Sequence, residues 1–486
     1  MNFLRRKSVA DLQTEAITDN SLHRALGRWH LVFLGIGCTI GAGVFVLTGL
    51  VAANMSGPAV VLSYVLAGTA SVFAALCYSE FASLVPMSGS AYTYSYATLG
   101  EIFAWIIGWD LILEYAVGGM TVAIGWSGHV NELLKSCGVF LPPQLSAASG
   151  TKVTLADGTM ATAWLNLPAV FIVAAVTILL VIGIRESAHF NNFIVVVKLA
   201  VIAVLVIGAA HAINFANWEP FIPARIPPGP GHPDGAYGWA GVFSGAGLAF
   251  FAYIGFDAVS TAAQEAKDPQ SDMPFGIIGS LVVCTILYIL VAAVATGVVP
   301  YAKLGGDAPM IYVAQQAGMG EWVSKLVNLA IVAGLSSVIM VLLMGQSRIF
   351  WNMSRDGLLP PFVNKVHPKF KTPWITSIIT GIVVAACAAT LTLKDAGDLC
   401  NIGTLLAFVI VCISVLVLRI REPHHHRKFT VKWLAFVAPA GALSSFALMC
   451  SLPGKTWIRL IGWFLIGMVI YFSYSIRHSR LREKNP

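Results

Sequence analysis

Four glycines, at 35, 37, 41 and 43, fall in the string GIGCTIGAGVF, inside an apolar run that begins after Trp29 and continues past Leu50. Glycine weakens a helix by about 1 kcal/mol relative to alanine, so the run reads as a membrane span interrupted near its middle. In hydrocarbon, unwound backbone persists only where it lines a protected cavity or a ligand pairs with it. Such a break offers two chemistries. The N-terminal end of the outer half-helix presents free N–H groups and a partial positive charge, suited to a carboxylate. The C-terminal end of the inner half presents free carbonyls, suited to an ammonium. These are the two ends of a zwitterionic α-amino acid, and Gly41 and Gly43 remove the Cβ atoms that would hold it off the backbone. Two other readings of the same glycines compete. Gly37 and Gly41 form a G-x-x-x-G pair, commonly a helix-packing face in membrane spans. The string G-I-G-C-T-I-G brushes against a dinucleotide fingerprint, but no strand precedes it in a βαβ unit.

Lys198 is the second chemical feature. It sits in FIVVVKLAVIAVLVI with no charged neighbour between Glu186 and Glu219. A lysine in mid-span is a functional candidate by default, because burial disfavours its charged form and prepares it to exchange a proton; the alternative is a stem snorkelling to the interface. Glu114, in WDLILEY, is the third, with Asp110 one turn away and more suited to a structural contact. Asp257, Glu265, Arg348, Arg355 and Asp356 read as inner-gate or loop contacts. No Ser-His-Asp or Cys-His arrangement, no H-E-x-x-H and no phosphate-binding G-x-x-x-x-G-K-[ST] loop is present, which argues against hydrolysis and against drive by ATP.

The elements that must position these residues are membrane helices. Of the 486 residues 57% are hydrophobic and 11% charged, with a mean hydropathy of +0.77, which excludes a soluble globular protein. Twelve apolar stretches near the length needed to span hydrocarbon follow one another from about 30–52 to 456–475. Residues 1–28 lack an apolar leader region and read as a cytoplasmic tail, 29–420 as the core, 421–476 as helices 11 and 12, and 477–486 as a second cytoplasmic tail. An even number of spans puts both ends on one side. Of the 30 lysines and arginines, 21 fall on the side of the tails and 8 on the other, so both ends are expected in the cytoplasm of a plasma (inner) membrane protein. That bias accounts for the net charge of +7 without a nucleic-acid partner, and basic clusters such as Arg419 to Lys432 would lie near lipid headgroups. The eight cysteines are scattered, with no C-x-x-C pair, so neither a disulfide framework nor a metal site is expected; His424–His426 reads as a solvated loop. The loops at about 136–164 and 214–238, rich in proline and glycine, read as irregular connectors.

A second interrupted span tips the balance from packing to a site. The sixth stretch carries FSGAGLAFFAYIGFDAVST, with Gly245, Gly247 and Gly255 about its middle. Breaks in the first and sixth spans fit a five-plus-five arrangement. An odd number of spans per repeat inverts the second copy, so 29–213 and 238–420 would be related by a pseudo-two-fold axis in the membrane plane.

GIGCTIGAGVF, ALCYSEFASLVPMSGSAYTYSYATLGE, GWDLILEY, FFAYIGFDAVSTAAQEAKDPQSDMP, SRDGLLP and NIGTLLAFVIVCISVLVLR together resemble the cationic amino acid transporter family of the amino acid, polyamine and organocation (APC) superfamily, over residues 22 to 480. The resemblance implies an all-α fold of twelve transmembrane helices with a leucine-transporter-type inverted repeat and broken helices 1 and 6. It implies alternating-access symport of an L-amino acid with protons, no cofactor and no sodium site. Carried over position by position, the amides of Ala42, Gly43 and Val44, beside Gly41, would hold the substrate carboxylate. Carbonyls of Thr39, Phe251, Ala252 and Ile254 would take its ammonium, and Phe251 would gate the site. Glu114 would face the pocket, either attracting a cationic side chain or serving as a structural carboxylate. Lys198 would stand where sodium-driven relatives hold their ion, bridging the first-span break to Ser336 or Ser337. Gly41-Ala42-Gly43 replaces the family's frequent G-T-G or G-S-G, so a hydroxyl that would touch substrate is missing. Small neutral amino acids such as alanine are favoured, with cationic ones open. An exchanger, or a transporter-like sensor, are the alternatives, and an accessory small subunit or oligomer is left open.

Overall fold

Hydrocarbon admits only backbone that satisfies its own hydrogen bonds, and apolar runs of this length do so as helices. The computed structural model describes residues 5–8, 26–85, 89–155, 158–182, 188–229, 235–370, 372–423 and 427–480; His424–His426 and most of both tails lie outside them. Among the described residues, eight helical runs are long and apolar enough to cross a membrane, and three shorter apolar helices accompany them.

In chain order the helices used below are α1 (Arg28–Thr39), α2 (Val60–Leu84), α3 (Ser90–Thr98), α4 (Glu101–Ser136), α5 (Leu167–Ile182), α6 (Ala188–Ala210), α7 (Gly238–Ala249), α8 (Pro269–Val298), α9 (Pro309–Gln316), α10 (Glu321–Arg355), α11 (Trp374–Thr390), α12 (Leu393–Arg421), α13 (Leu434–Cys450) and α14 (Gly454–Ile470). α8 packs against both α1 and α2, α10 against α4, α11 against α5, and α12 against α4 and α13. Side chains such as Ile207 on α6 and Leu465 and Val469 on α14 stay exposed, an apolar outer surface suited to lipid and not to water.

Both interrupted spans are broken where their glycines place the break. α1 stops at Thr39, Ile40 is extended (φ −74, ψ 100), and helical backbone resumes through Ala42 into a π-helical turn at Gly43–Leu47. In the sixth stretch α7 passes into a 3-10 turn at Phe250–Tyr253. Ile254 is then extended (φ −62, ψ 132), Gly255 takes φ +116, and 3-10 turns continue over Asp257–Glu265.

One connector departs from the expectation of irregular loops. Lys152–Thr154 pairs antiparallel with Met160–Thr162 in a small hairpin, with Val153 opposite Ala161. The β-branched residues at 151, 153 and 154 and a positive φ at Gly158 in the connecting turn supply the propensity that a count of prolines and glycines overlooks. α9 is a second structured connector. It lies against the outer part of the first span, where a Cβ on Gly49 would overlap Leu304 and Pro309.

Candidate functional site

The two breaks touch each other, and glycine is required on both sides of the contact. A Cβ on Gly43 would overlap the backbone of Ala252, and one on Gly255 would lie 3.0 Å from the backbone of Cys38. Gly43 therefore serves close approach of the two broken chains. Gly41 is different: a Cβ there would meet only Val338, at an ordinary 3.5 Å. Gly35 is a packing glycine, since its Cβ would overlap Ser280 on α8. Thr39, Ala42, Val44, Phe251, Ala252 and Ile254 are all buried around this junction, so the break is enclosed in the bundle.

The carbonyls freed by the first break are met by side chains from three helices. Lys198, on α6, donates its ammonium to Gly37 O (2.8 Å) and Ile40 O (3.2 Å). The Tyr288 hydroxyl, on α8, lies 2.9 Å from Thr39 O and 2.8 Å from Ala252 O; its single proton serves one of them at a time. The Tyr64 hydroxyl, on α2, donates to Gly43 O at 2.9 Å and contacts Thr48 Oγ at 2.6 Å. Tyr253 in turn donates to Tyr64 O at 2.8 Å, and its ring meets those of Tyr64 and Tyr288 edge-on, while the latter two are tilted against each other.

These tyrosines escaped the sequence reading. Their signal was present: a phenol hydroxyl in the middle of an apolar span, as in VVLSYVLAG and VCTILYILV, must find a polar partner, and interrupted backbone is the nearest supply. Their positions also qualify one expectation. Two of the four carbonyls assigned to an ammonium, those of Thr39 and Ala252, are already within reach of Tyr288. Ala42, where helical backbone resumes after the break, provides no side-chain cap to the amides that follow.

Lys198 is fully buried, and its stem runs against Gly334 of α10, where a Cβ would lie 2.9 Å from Lys198 Cε. The two serines linked to it by the sequence reading are placed differently from one another. Ser337 donates to Gly334 O at 2.8 Å, beside that stem. Ser336 instead accepts the Trp126 indole N–H at 2.9 Å and donates to Val332 O, so it is engaged toward α4 and within its own helix.

Glu114 and Asp257 are both buried. Asp257 accepts the amide of Gly255 at 3.2 Å and so caps the turn that leaves the sixth-span break. Among the described residues, one oxygen of each carboxyl has no hydrogen-bond partner, and Asp110, a turn from Glu114 and fully buried, has none for either. Buried oxygens left open in this way call for protons, water or a ligand. Glu265, farther along, lies 3.8 Å from Arg348 of α10. Among the described residues, no group of three His, Cys, Asp or Glu side chains is placed to hold a metal ion.

The chain matches the family described as amino acid permease over residues 26–473. It is 45% identical over 480 residues to a branched-chain amino acid permease of Bacillus subtilis, covering 99% of both chains. It is 42% identical over 483 residues to the methylthioribose transporter of the same organism, covering 99% of this chain and all of that one. It is also 34% identical over 430 residues to the vacuolar cationic amino acid transporter 4 of Arabidopsis thaliana, covering 87% of this chain and 68% of that one.

Proposed function

Because the chain belongs to the amino acid permease family, within the APC superfamily, and its relatives are transporters and not enzymes, we propose that it is a proton-coupled symporter of small or neutral L-amino acids. One observation carries this reading: two interrupted spans meet inside the bundle with their polar backbone enclosed, a place suited to both ends of an amino acid. The uncapped amides of Ala42, Gly43 and Val44 take the carboxylate. The carbonyls of Phe251 and Ile254 take the ammonium, with those of Thr39 and Ala252 released by Tyr288 as it binds. Phe251 closes over the cargo. Val338 beside Gly41, the missing hydroxyl at Ala42 and the full-length relative named for branched-chain amino acids all favour an aliphatic side chain; Glu114 is the group that would receive a cationic one.

Protons are the coupling ion in this reading, and no sodium site is required. Protonated Lys198 ties the first-span break to α6 and α10, and deprotonation frees it, which links proton movement to the conformational cycle. The Ser336 part of that tie is replaced by the contact with Gly334.

The architecture proposed is twelve transmembrane helices with an inverted five-plus-five repeat. Its support is the packing of counterparts five spans apart: α2 with α8, α4 with α10, α5 with α11. Both ends face the cytoplasm of the plasma membrane, supported by the asymmetry of lysine and arginine.

The methylthioribose relative, similar over the whole length, supports a second reading in which the cargo is a neutral thio-sugar. Purified protein in proteoliposomes separates the possibilities. Labelled alanine, leucine, arginine and methylthioribose are offered with and without an inward proton gradient, and with and without internal amino acid. Symport predicts accumulation of alanine or leucine driven by the gradient in vesicles that start empty. Uptake only against internal amino acid would make it an exchanger, binding without uptake a sensor, and uptake of methylthioribose alone would overturn the amino acid reading.

A further inference from the structure

α4 carries a histidine that the amino acid site does not use. His129 is fully buried, and so is Asn328 of α10 opposite it. Their pairing is reciprocal: the Asn328 amide group donates to His129 O at 3.0 Å, and the Asn328 Oδ1 lies 2.9 Å from the ring nitrogen Nδ1. That pairing fixes the tautomer. With the Asn328 NH2 committed to a backbone carbonyl, its oxygen faces Nδ1, so Nδ1 carries a proton and donates it. In the neutral ring Nε2 is then a bare acceptor, and among the described residues it has no hydrogen-bond partner. A buried acceptor left open calls for a proton, a water or a donor.

The surroundings of Nε2 narrow that choice. The backbone of Phe45, in the π-helical turn beyond the first break, lies against the ring. It offers a carbonyl, which pairs with Nε2 only when Nε2 is protonated. One turn earlier on α4, a Cβ on Gly125 would lie 3.2 Å from Val46 and 3.3 Å from Ala42, so this face of α4 packs on the outer half of the first span. Gly128, beside His129, packs on the connector before α9, where a Cβ would overlap Asp307. Asp307 lines a cavity of about 240 Å³ together with Lys303 and with Glu132, one turn beyond His129. In the proposed orientation this cavity is on the outer side. The charged groups on the elements around His129 are Glu132 and Lys135 of α4, Lys303 and Asp307 of the connector, and the Glu321–Lys325 pair of α10; α9 adds the Tyr312 phenol, and residues 41–51 and α5 carry no titratable group.

We propose that His129 is a second proton-binding residue of the carrier, loaded from the outer solvent through this cavity, and that the proton it accepts at Nε2 ties α4 and α10 to the outer half of the first span through the Phe45 carbonyl. Lys198 holds the end of the inner half, at Gly37 O and Ile40 O, so two basic groups grip opposite halves of one interrupted span. The inference rests on the reading of the chain as a proton-coupled symporter and supplies the outer port for its proton.

The test begins with the unaltered full chain in lipid nanodiscs, its histidine ring nitrogens labelled for magnetic resonance and the His129 signal assigned by its loss in His129→Asn. Asparagine keeps a donor where Nδ1 stands and has no second nitrogen to protonate. The ring is expected to hold its proton on Nδ1 at about pH 8 and to gain a second on Nε2 as the pH falls to about 5. A neutral ring protonated on Nε2, or one that stays neutral throughout, would overturn the proposal. In proteoliposomes, His129→Asn should lower gradient-driven alanine accumulation at least about fivefold and leave exchange against internal alanine within about twofold. Equal loss of both would make the residue structural and overturn it. Asn328→Asp sets a carboxylate against Nδ1–H, so the midpoint of uptake against outer pH should rise by about one unit or more, and an unmoved midpoint would also overturn it. The ring titration needs no cargo. Absence of gradient-driven accumulation by the unaltered chain would instead mark failure of the symport reading.

Discussion

At the scale of single residues, glycines two letters from one another in sequence do different things. Gly43 is in contact with the Ala252 backbone, so Gly43→Ala forces the two breaks apart and is expected to lower stability by about 1–3 kcal/mol and abolish transport. Gly41→Ala makes only an ordinary contact with Val338 and should leave the melting temperature nearly unchanged. Gly41→Leu is then the discriminating variant: thermal denaturation shows a folded protein, while stabilisation by added alanine disappears. If alanine still stabilises it, the cargo does not lie against Gly41. Lys198→Ala removes the donor to Gly37 O and Ile40 O. It should end accumulation driven by a proton gradient while exchange against internal amino acid continues, and full gradient-driven accumulation would remove Lys198 from the coupling. Tyr288→Phe leaves Thr39 O and Ala252 O without their hydroxyl, at about 1–3 kcal/mol for an unmet buried acceptor. The protein without cargo should melt earlier, and alanine should stabilise it more than it stabilises the unaltered chain, because the ammonium meets acceptors that are otherwise unpaired.

At the scale of elements, both breaks were legible because their cause is local. Glycines clustered in an apolar run weaken the helix there, whatever surrounds it, and the structure interrupts the backbone at Ile40 and Ile254. What each glycine accommodates was not legible. Gly43 meets Ala252 and Gly255 meets Cys38 across some two hundred residues, and such approach depends on how the bundle closes. The same reason hides the tyrosine cluster and the turn of Ser336 toward Trp126: a sequence shows that a hydroxyl needs a partner but not on which neighbouring helix it will find one. α3 was read only as part of a motif, since its covering comes from residues 5–8 and 478–480. Gly255→Ala tests the element directly. With φ +116 and Cys38 at 3.0 Å, alanine has neither the conformation nor the room, so the sixth-span turn should shift and alanine uptake should fall at least tenfold, measured beside an unchanged level of membrane insertion.

At the scale of the whole molecule, the proposed orientation makes opposite faces chemically distinct to a protease. In sealed right-side-out vesicles, trypsin added outside should cut at Lys152 in the exposed hairpin and spare Lys7 and Arg480; cleavage at Lys7 from outside would invert the assignment. The carboxylate of Glu101 adds a constraint of a different kind, one of order in time. Glu101 is inserted early, but the Ser479 hydroxyl that meets its buried carboxylate lies 378 residues farther along, and the Tyr471 hydroxyl 370. Until residues 471–479 are made, this buried carboxylate therefore lacks the two hydroxyls that donate to it in the folded chain, so a truncation before Tyr471 must leave it to other partners.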